Sequence, residues 1–189
     1  MTASTHAAHH LAQLNVATLR HPLDDPRVAP FVEMLDPVNA AADGAPGFVW
    51  RLVEEGAADA TGLRPAGEDV IVNLSVWETQ EALWDFAYRS GHLEVMRRRR
   101  EWFERHVEAH LVLWWVPAGH LPSVGEAMER LADLRERGPS PYAFTFASSY
   151  TADEAAEHVQ AVVPTRSDEA ARIDVPTPAG GLPSTVPTP

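Results

Sequence analysis

Polar side chains at alternate positions of two otherwise aliphatic runs are the first sign of chemistry in this chain. In HLAQLNVATL, Gln13 and Asn15 share one side with Leu11 and Ala17; in DVIVNLSVW, Asn73 and Ser75 share one with Ile71 and Trp77. A buried polar group without a hydrogen bond costs about 1–3 kcal/mol, so this spacing predicts a strand face that meets a ligand, water or an interface. Amides donate and accept at once. Asn15 and Asn73 are therefore candidates to orient a substrate oxygen, with Gln13 and Ser75 binding beside them. A wet interface that holds strand register explains the same pattern.

His92 is the candidate base. Gly91 costs about 1 kcal/mol inside a helix and Ser90 is a good N-cap. That pair predicts a break, with His92 starting a new helix. There the helix dipole disfavours imidazolium and holds the ring neutral, as a general base or a metal ligand requires. With Asn15 and Asn73 it forms the candidate catalytic set. In an unbroken helix, Trp84, Tyr88 and His92 fall four apart on one face, which reads equally as a packed aromatic stripe with one satisfied histidine.

Around these stand candidate substrate-binding groups: Gln13, Trp50, Arg51, Ser75, Trp77, Trp84 and Tyr88. The six tryptophans offer large apolar surface with an N–H that wants a partner, suited to a flat aromatic ligand and equally to core packing. Trp114 and Trp115 are neighbours on one strand and must face opposite ways. Arg97 to Arg100 lie among Glu94, Glu101 and Glu104, a spacing that predicts a solvated, salt-bridged helix face. His6, His9 and His10 fall in a loose start, His106 and His110 straddle a break, and His120 could line a pocket mouth. No metal site is predicted. The chain has no cysteine, which excludes disulfides, thiolate nucleophiles and zinc–cysteine centres.

The elements that position these side chains follow from hydrophobic periodicity. Strands are predicted over 10–19, 48–53, 69–77 and 110–116, with a short last one over 141–146. Helices are predicted over 28–42, with Pro37 kinking or interrupting it, then from Thr79 to the break at Ser90-Gly91, over 92–107, and over 123–137 with Ser123 and Glu126 as a capping box. The order β-α-β-β-α-β plus a helix is the split βαβ pattern, an α+β, ferredoxin-like fold. Its four-stranded antiparallel sheet should carry helices on one face and leave the polar face open. Residues 9–148 would form this domain, and 149–189 an acidic, Pro-rich tail, mostly disordered apart from one helical turn within 153–162.

Charge narrows the partners. The net charge is −12 over 189 residues, which repels phosphate backbones and argues against nucleic acid. No apolar run reaches the roughly 20 residues that span a bilayer, and residues 1–8 lack the features of a signal peptide. The expected location is cytoplasmic.

The runs HLAQLNVA, PGFVWRL, VNLSVWE, YRSGH, RRREWF, VLWWVPAGH and GPSPYAFTF resemble a bacterial and fungal domain-of-unknown-function family. It is placed near the dimeric α/β-barrel superfamily, with its antibiotic-biosynthesis and haem-degrading monooxygenases. The resemblance covers about residues 9–146 and implies a homodimer whose open sheet faces meet to close a barrel and a cavity. It also implies a small-molecule ligand and monooxygenase-like chemistry on a hydrophobic, aromatic substrate. Without a cofactor, the substrate's own carbanion must activate oxygen. Asn15, Trp84 and His92 stand in places similar to residues that hold haem in the haem-degrading members. His92 comes several residues early for such a ligand, so no cofactor is expected and haem binding is an alternative. A non-catalytic ligand-binding or dimeric assembly module is the other.

Overall fold

The computed structural model describes residues 8–89, 92–105 and 107–162, leaving aside the side chains of 92–96 and 162. Strands β1 (His9–Thr18), β2 (Phe48–Arg51), β3 (Val70–Trp77) and β4 (Leu111–Pro117) form one sheet in the order β2-β3-β1-β4, every neighbouring pair antiparallel. With helix α1 (Ala29–Asp43) between β1 and β2, and α2 (Gln80–Arg89) and α3 (His92–Trp102) between β3 and β4, this is the ferredoxin-like arrangement. Two further helices follow, α4 (Val124–Arg137) and α5 (Ala152–Val162).

Local chemistry explains most boundaries. The Thr79 hydroxyl accepts the Ala82 N–H at 3.1 Å ahead of α2, and the Ser123 hydroxyl accepts the Glu126 N–H at 3.1 Å to cap α4. Gly138 ends α4 with φ +79°, a conformation that glycine adopts without steric cost. Helix α2 is described to Arg89 and α3 from His92; the break expected at Ser90-Gly91 lies outside the described residues. Pro37 lies within α1 without interrupting it. Both Pro37 and Glu33 are exposed, so solvent can reach the carbonyl that the missing N–H leaves free.

Elsewhere tertiary contacts move the ends. Helix α3 stops at Trp102, not 107, because the chain turns onto the end of β1: Trp102 O accepts from Arg20 N at 2.8 Å and Thr18 O from Glu104 N at 2.9 Å. The strand expected over 141–146 is reduced to isolated bridges, Leu113 with Phe144 among them. His9 and His10 open β1 and are not part of a loose start. The folded body continues past 148, since α5 packs against β4 and the Trp115 indole N–H donates to Tyr150 O at 2.7 Å. Among the described residues no helix is long and apolar enough to cross a membrane.

The two sheet faces are clothed differently from the sequence expectation. Ala12, Leu14, Val16, Val72, Leu74, Val76, Val112, Trp114 and Val116 form an all-apolar face, buried under Ala127, Leu131 and Leu134 of α4. The mixed face is not open. Its Leu11 and Trp77 pack with Leu83 of α2, and its Ile71 packs with Phe31 of α1 and Trp102 of α3. Helices therefore lie on both faces, and the bare sheet surface needed for a face-to-face barrel is absent among the described residues. The reason is α4, whose apolar positions 127, 131 and 134 make a stripe that buries the aliphatic face within the chain.

Candidate small-molecule site on the mixed sheet face

Strand register arranges the mixed face in four rows. Leu11 pairs with Trp77, Gln13 with Ser75, Asn15 with Asn73, and Ala17 with Ile71, while β4 adds Trp115, Leu113 and Leu111 to the first three. The outer rows are apolar and sealed. At one end Trp77 stacks on Phe86 at 5.1 Å and meets the edge of Phe48 at 5.3 Å; at the other, Phe31 lies 5.7 Å from Trp102. The two central rows are polar.

A hydrogen-bond chain sets the first polar row. The Trp77 indole N–H donates to Ser75 Oγ at 3.0 Å, and that hydroxyl donates to Gln13 Oε1 at 2.9 Å. Trp77, Ser75 and Gln13 are all buried, so the chain satisfies groups that water reaches poorly. It also fixes the Gln13 amide, whose NH2 has no hydrogen-bond partner among the described residues. In the next row Asn15 is half-buried and Asn73 exposed, and neither side-chain amide has a partner among the described residues. Three amides thus present donors, and two of them acceptors, that no described residue uses, between two aromatic clusters.

Helices α2 and α3 frame this floor. Leu83 and Phe86 of α2 sit over the Leu11–Trp77 row and Trp102 of α3 over Ile71. His92 is the first residue of α3; its side chain lies outside the described residues. One charged side chain, Arg51 of β2, is in register with Ser75 at the β2 end of the first polar row. Among the described residues no three His, Asp or Glu side chains converge as a metal ion requires.

Trp50, Trp84 and Tyr88 are placed elsewhere. A bulge between Phe48 and Trp50 sets Trp50 in register with Val76, and it packs on the aliphatic face, away from Trp77. Arg51 is held by Asp43 at 2.8 Å and by Ala58 O at 3.1 Å. Trp84 and Tyr88 are exposed, with ring centroids 4.2 Å apart, and both pack against Phe146. On α3, Arg98 pairs with Glu101 at 2.9 Å and lies 4.8 Å over Trp102, while Arg97, Arg99 and Arg100 are exposed. The Arg98 guanidinium, by hydrogen bonding, holds the Glu101 carboxyl below its usual range.

Sequence reasoning passed over Phe48, Phe86 and Trp102 as walls of this site. Their apolar spacing was visible, but not which sheet face each would cover. It also passed over Glu126 as more than a cap. The Glu126 carboxylate accepts from the buried Trp114 indole N–H at 2.9 Å and meets His120 Nε2 at 2.8 Å. Nearby Arg130 lies 3.6 Å over Tyr142, and burial lowers its pKa.

The family model described as "Domain of unknown function (DUF3291)" matches residues 10–161. The chain belongs to that family. A search of the curated proteins finds no match. Among solved structures, SnoaB of Streptomyces nogalater, described as a cofactor-independent oxygenase, is similar at 19% identity and TM-score 0.40, covering 60% of this chain and 97% of its own. A putative antibiotic biosynthesis monooxygenase of Chloroflexus aurantiacus is similar at 15% identity and TM-score 0.38, covering 61% and 99%. A dabb family protein with a ferredoxin-like fold from Mesorhizobium loti is similar at 17% identity and TM-score 0.38, covering 59% and 99%. The ferredoxin-like assignment of this chain rests on its own strand order and connections.

Proposed function

We propose that this chain is a cytoplasmic small-molecule enzyme of monooxygenase-like type, taking a hydrophobic, aromatic substrate on the polar rows of the mixed sheet face. The observation that carries it is the set of amides without a partner among the described residues, Gln13 NH2, Asn15 and Asn73, between two aromatic clusters. A concave site of apolar walls with a few polar groups is the usual form of a small-molecule pocket. The flat body of a substrate would lie against Trp77 and its neighbours, with its oxygens on the amides. The Arg51 charge at the end of the first row is already paired with Asp43 at 2.8 Å, which suits a neutral ligand. His92 would take a proton from the substrate, and the carbanion so formed would itself react with oxygen, with no cofactor required. The monooxygenase-like type rests on the sequence resemblance. Trp50 and Arg51 carry no substrate in this reading, and Trp84 and Tyr88 form a separate surface. The homodimer implied by the resemblance would form away from the sheet faces.

The test is an Asn15→Leu plus Asn73→Leu variant titrated with hydroxylated naphthalenes and anthracenes by tryptophan quenching. Two lost hydrogen bonds, at about 0.5–1.5 kcal/mol each, predict binding weakened about fivefold to 150-fold, and His92→Ala should abolish oxygen uptake. Unchanged binding with a gain in stability would mean that the rows serve a non-catalytic module. A Soret band formed with hemin and lost in His92→Ala would replace the proposal with a haem-binding protein.

A further inference from the structure

Helix α2 turns Leu83 and Phe86 inward, yet it leaves Trp84 41% and Tyr88 38% exposed. Their rings are tilted at 4.2 Å, and Phe146 stands edge-on to Trp84 at 5.1 Å and to Tyr88 at 6.2 Å, making a ridged aromatic plate. Among the described residues neither the Trp84 indole N–H nor the Tyr88 hydroxyl has a hydrogen-bond partner. Of the adjacent charges, Arg89 pairs with Asp85 at 2.9 Å, so among the described residues there no cation is left over to draw an acidic partner. This surface therefore offers aromatic faces and unused donors, and it suits an uncharged partner rich in acceptors.

The same chain holds such a partner. Residues 175–189, VPTPAGGLPSTVPTP, carry no charge and repeat Val-Pro-Thr-Pro at 175–178 and 186–189. Proline-rich segments favour the polyproline II conformation, in which carbonyls remain free to accept, and aromatic grooves recognise it at low entropic cost. The reach is sufficient. Helix α5, 11 residues long, starts six positions after Phe146 and spans about 16 Å at 1.5 Å per residue. Residues 163–174 can extend to about 40 Å at roughly 3.3 Å per residue, enough to bring the first motif back to α2. Tethering further raises its effective concentration to the millimolar range.

We infer that the Trp84–Tyr88–Phe146 plate is a docking site for the chain's own repeated Val-Pro-Thr-Pro segment, an inference independent of the reaction proposed above. The absence of cysteine makes the test direct. A spin label on Gly180→Cys of the full chain should broaden the Trp84 indole N–H resonance, assigned through Trp84→Phe, to less than half its intensity with the label reduced. The buried Trp114 signal should be unaffected. Combining Pro176→Ala, Pro178→Ala, Pro187→Ala and Pro189→Ala should restore the Trp84 signal. Equal effects on Trp84 and Trp114 would overturn the inference, as would broadening that survives the proline replacements. Selective broadening found only when isotope-labelled chains are mixed with spin-labelled ones would assign the plate to a second copy.

Discussion

Replacing Ser75 by alanine tests whether the buried polar row is held as a unit. The hydroxyl has two roles, accepting from the Trp77 indole N–H at 3.0 Å and donating to Gln13 Oε1 at 2.9 Å. Trp77 is 1% exposed, so its N–H has no ready route to water and loses about 1–3 kcal/mol when its acceptor goes. Gln13 lies beside the open amide row and recovers part of its loss from solvent. The expected cost is about 2–3 kcal/mol, which for a chain of this size lowers Tm by about 4–12 °C. Urea and thermal unfolding followed by circular dichroism would measure it. In a Trp77→Phe background the N–H is gone, and Ser75→Ala should cost less than about 1 kcal/mol, a coupling typical of groups in one network. A cost below about 0.5 kcal/mol in the otherwise unaltered chain would refute the reasoning, since the indole would then not depend on Ser75.

Two further outcomes follow from the polar contacts away from the site. Glu126→Ala leaves the Trp114 indole N–H buried without its acceptor and should cost about 1–3 kcal/mol in urea unfolding; Glu126→Gln keeps an oxygen there and should recover most of it. The carboxyls of Asp25, Glu101 and Glu154 all titrate below their usual range, through hydrogen bonds from Arg27, Arg98 and Thr151 respectively. Depressed carboxyls contribute stability above their unfolded pKa, and that contribution is lost as pH falls from about 4.5 toward the folded values. Carboxyl titrations by NMR should show the three low midpoints, with Arg98→Gln returning Glu101 to the ordinary range; an unmoved Glu101 would contradict the assignment.

Much of the framework was legible in the residues. Alternation in HLAQLNVATL and DVIVNLSVW determined two central strands and placed Gln13, Asn15, Asn73 and Ser75 on one side of each, because successive strand side chains point to opposite faces. Ser123 and Gly138 bounded α4 by capping chemistry.

What tertiary structure decided was pairing and coverage. Antiparallel register matched Gln13 with Ser75 and Asn15 with Asn73, turning two separate alternations into contiguous rows. A single bulge moved Trp50 to the opposite face from Trp77, a shift no periodicity announces, since one extra residue reverses every side chain beyond it. The mixed face read as open because its polar residues looked unsuited to a core, whereas helices α1, α2 and α3 pack against its apolar ends. Above all, α4 has an apolar stripe fit for either face. Only the folded chain shows that it covers the aliphatic side, because burying that continuous apolar surface is the larger gain.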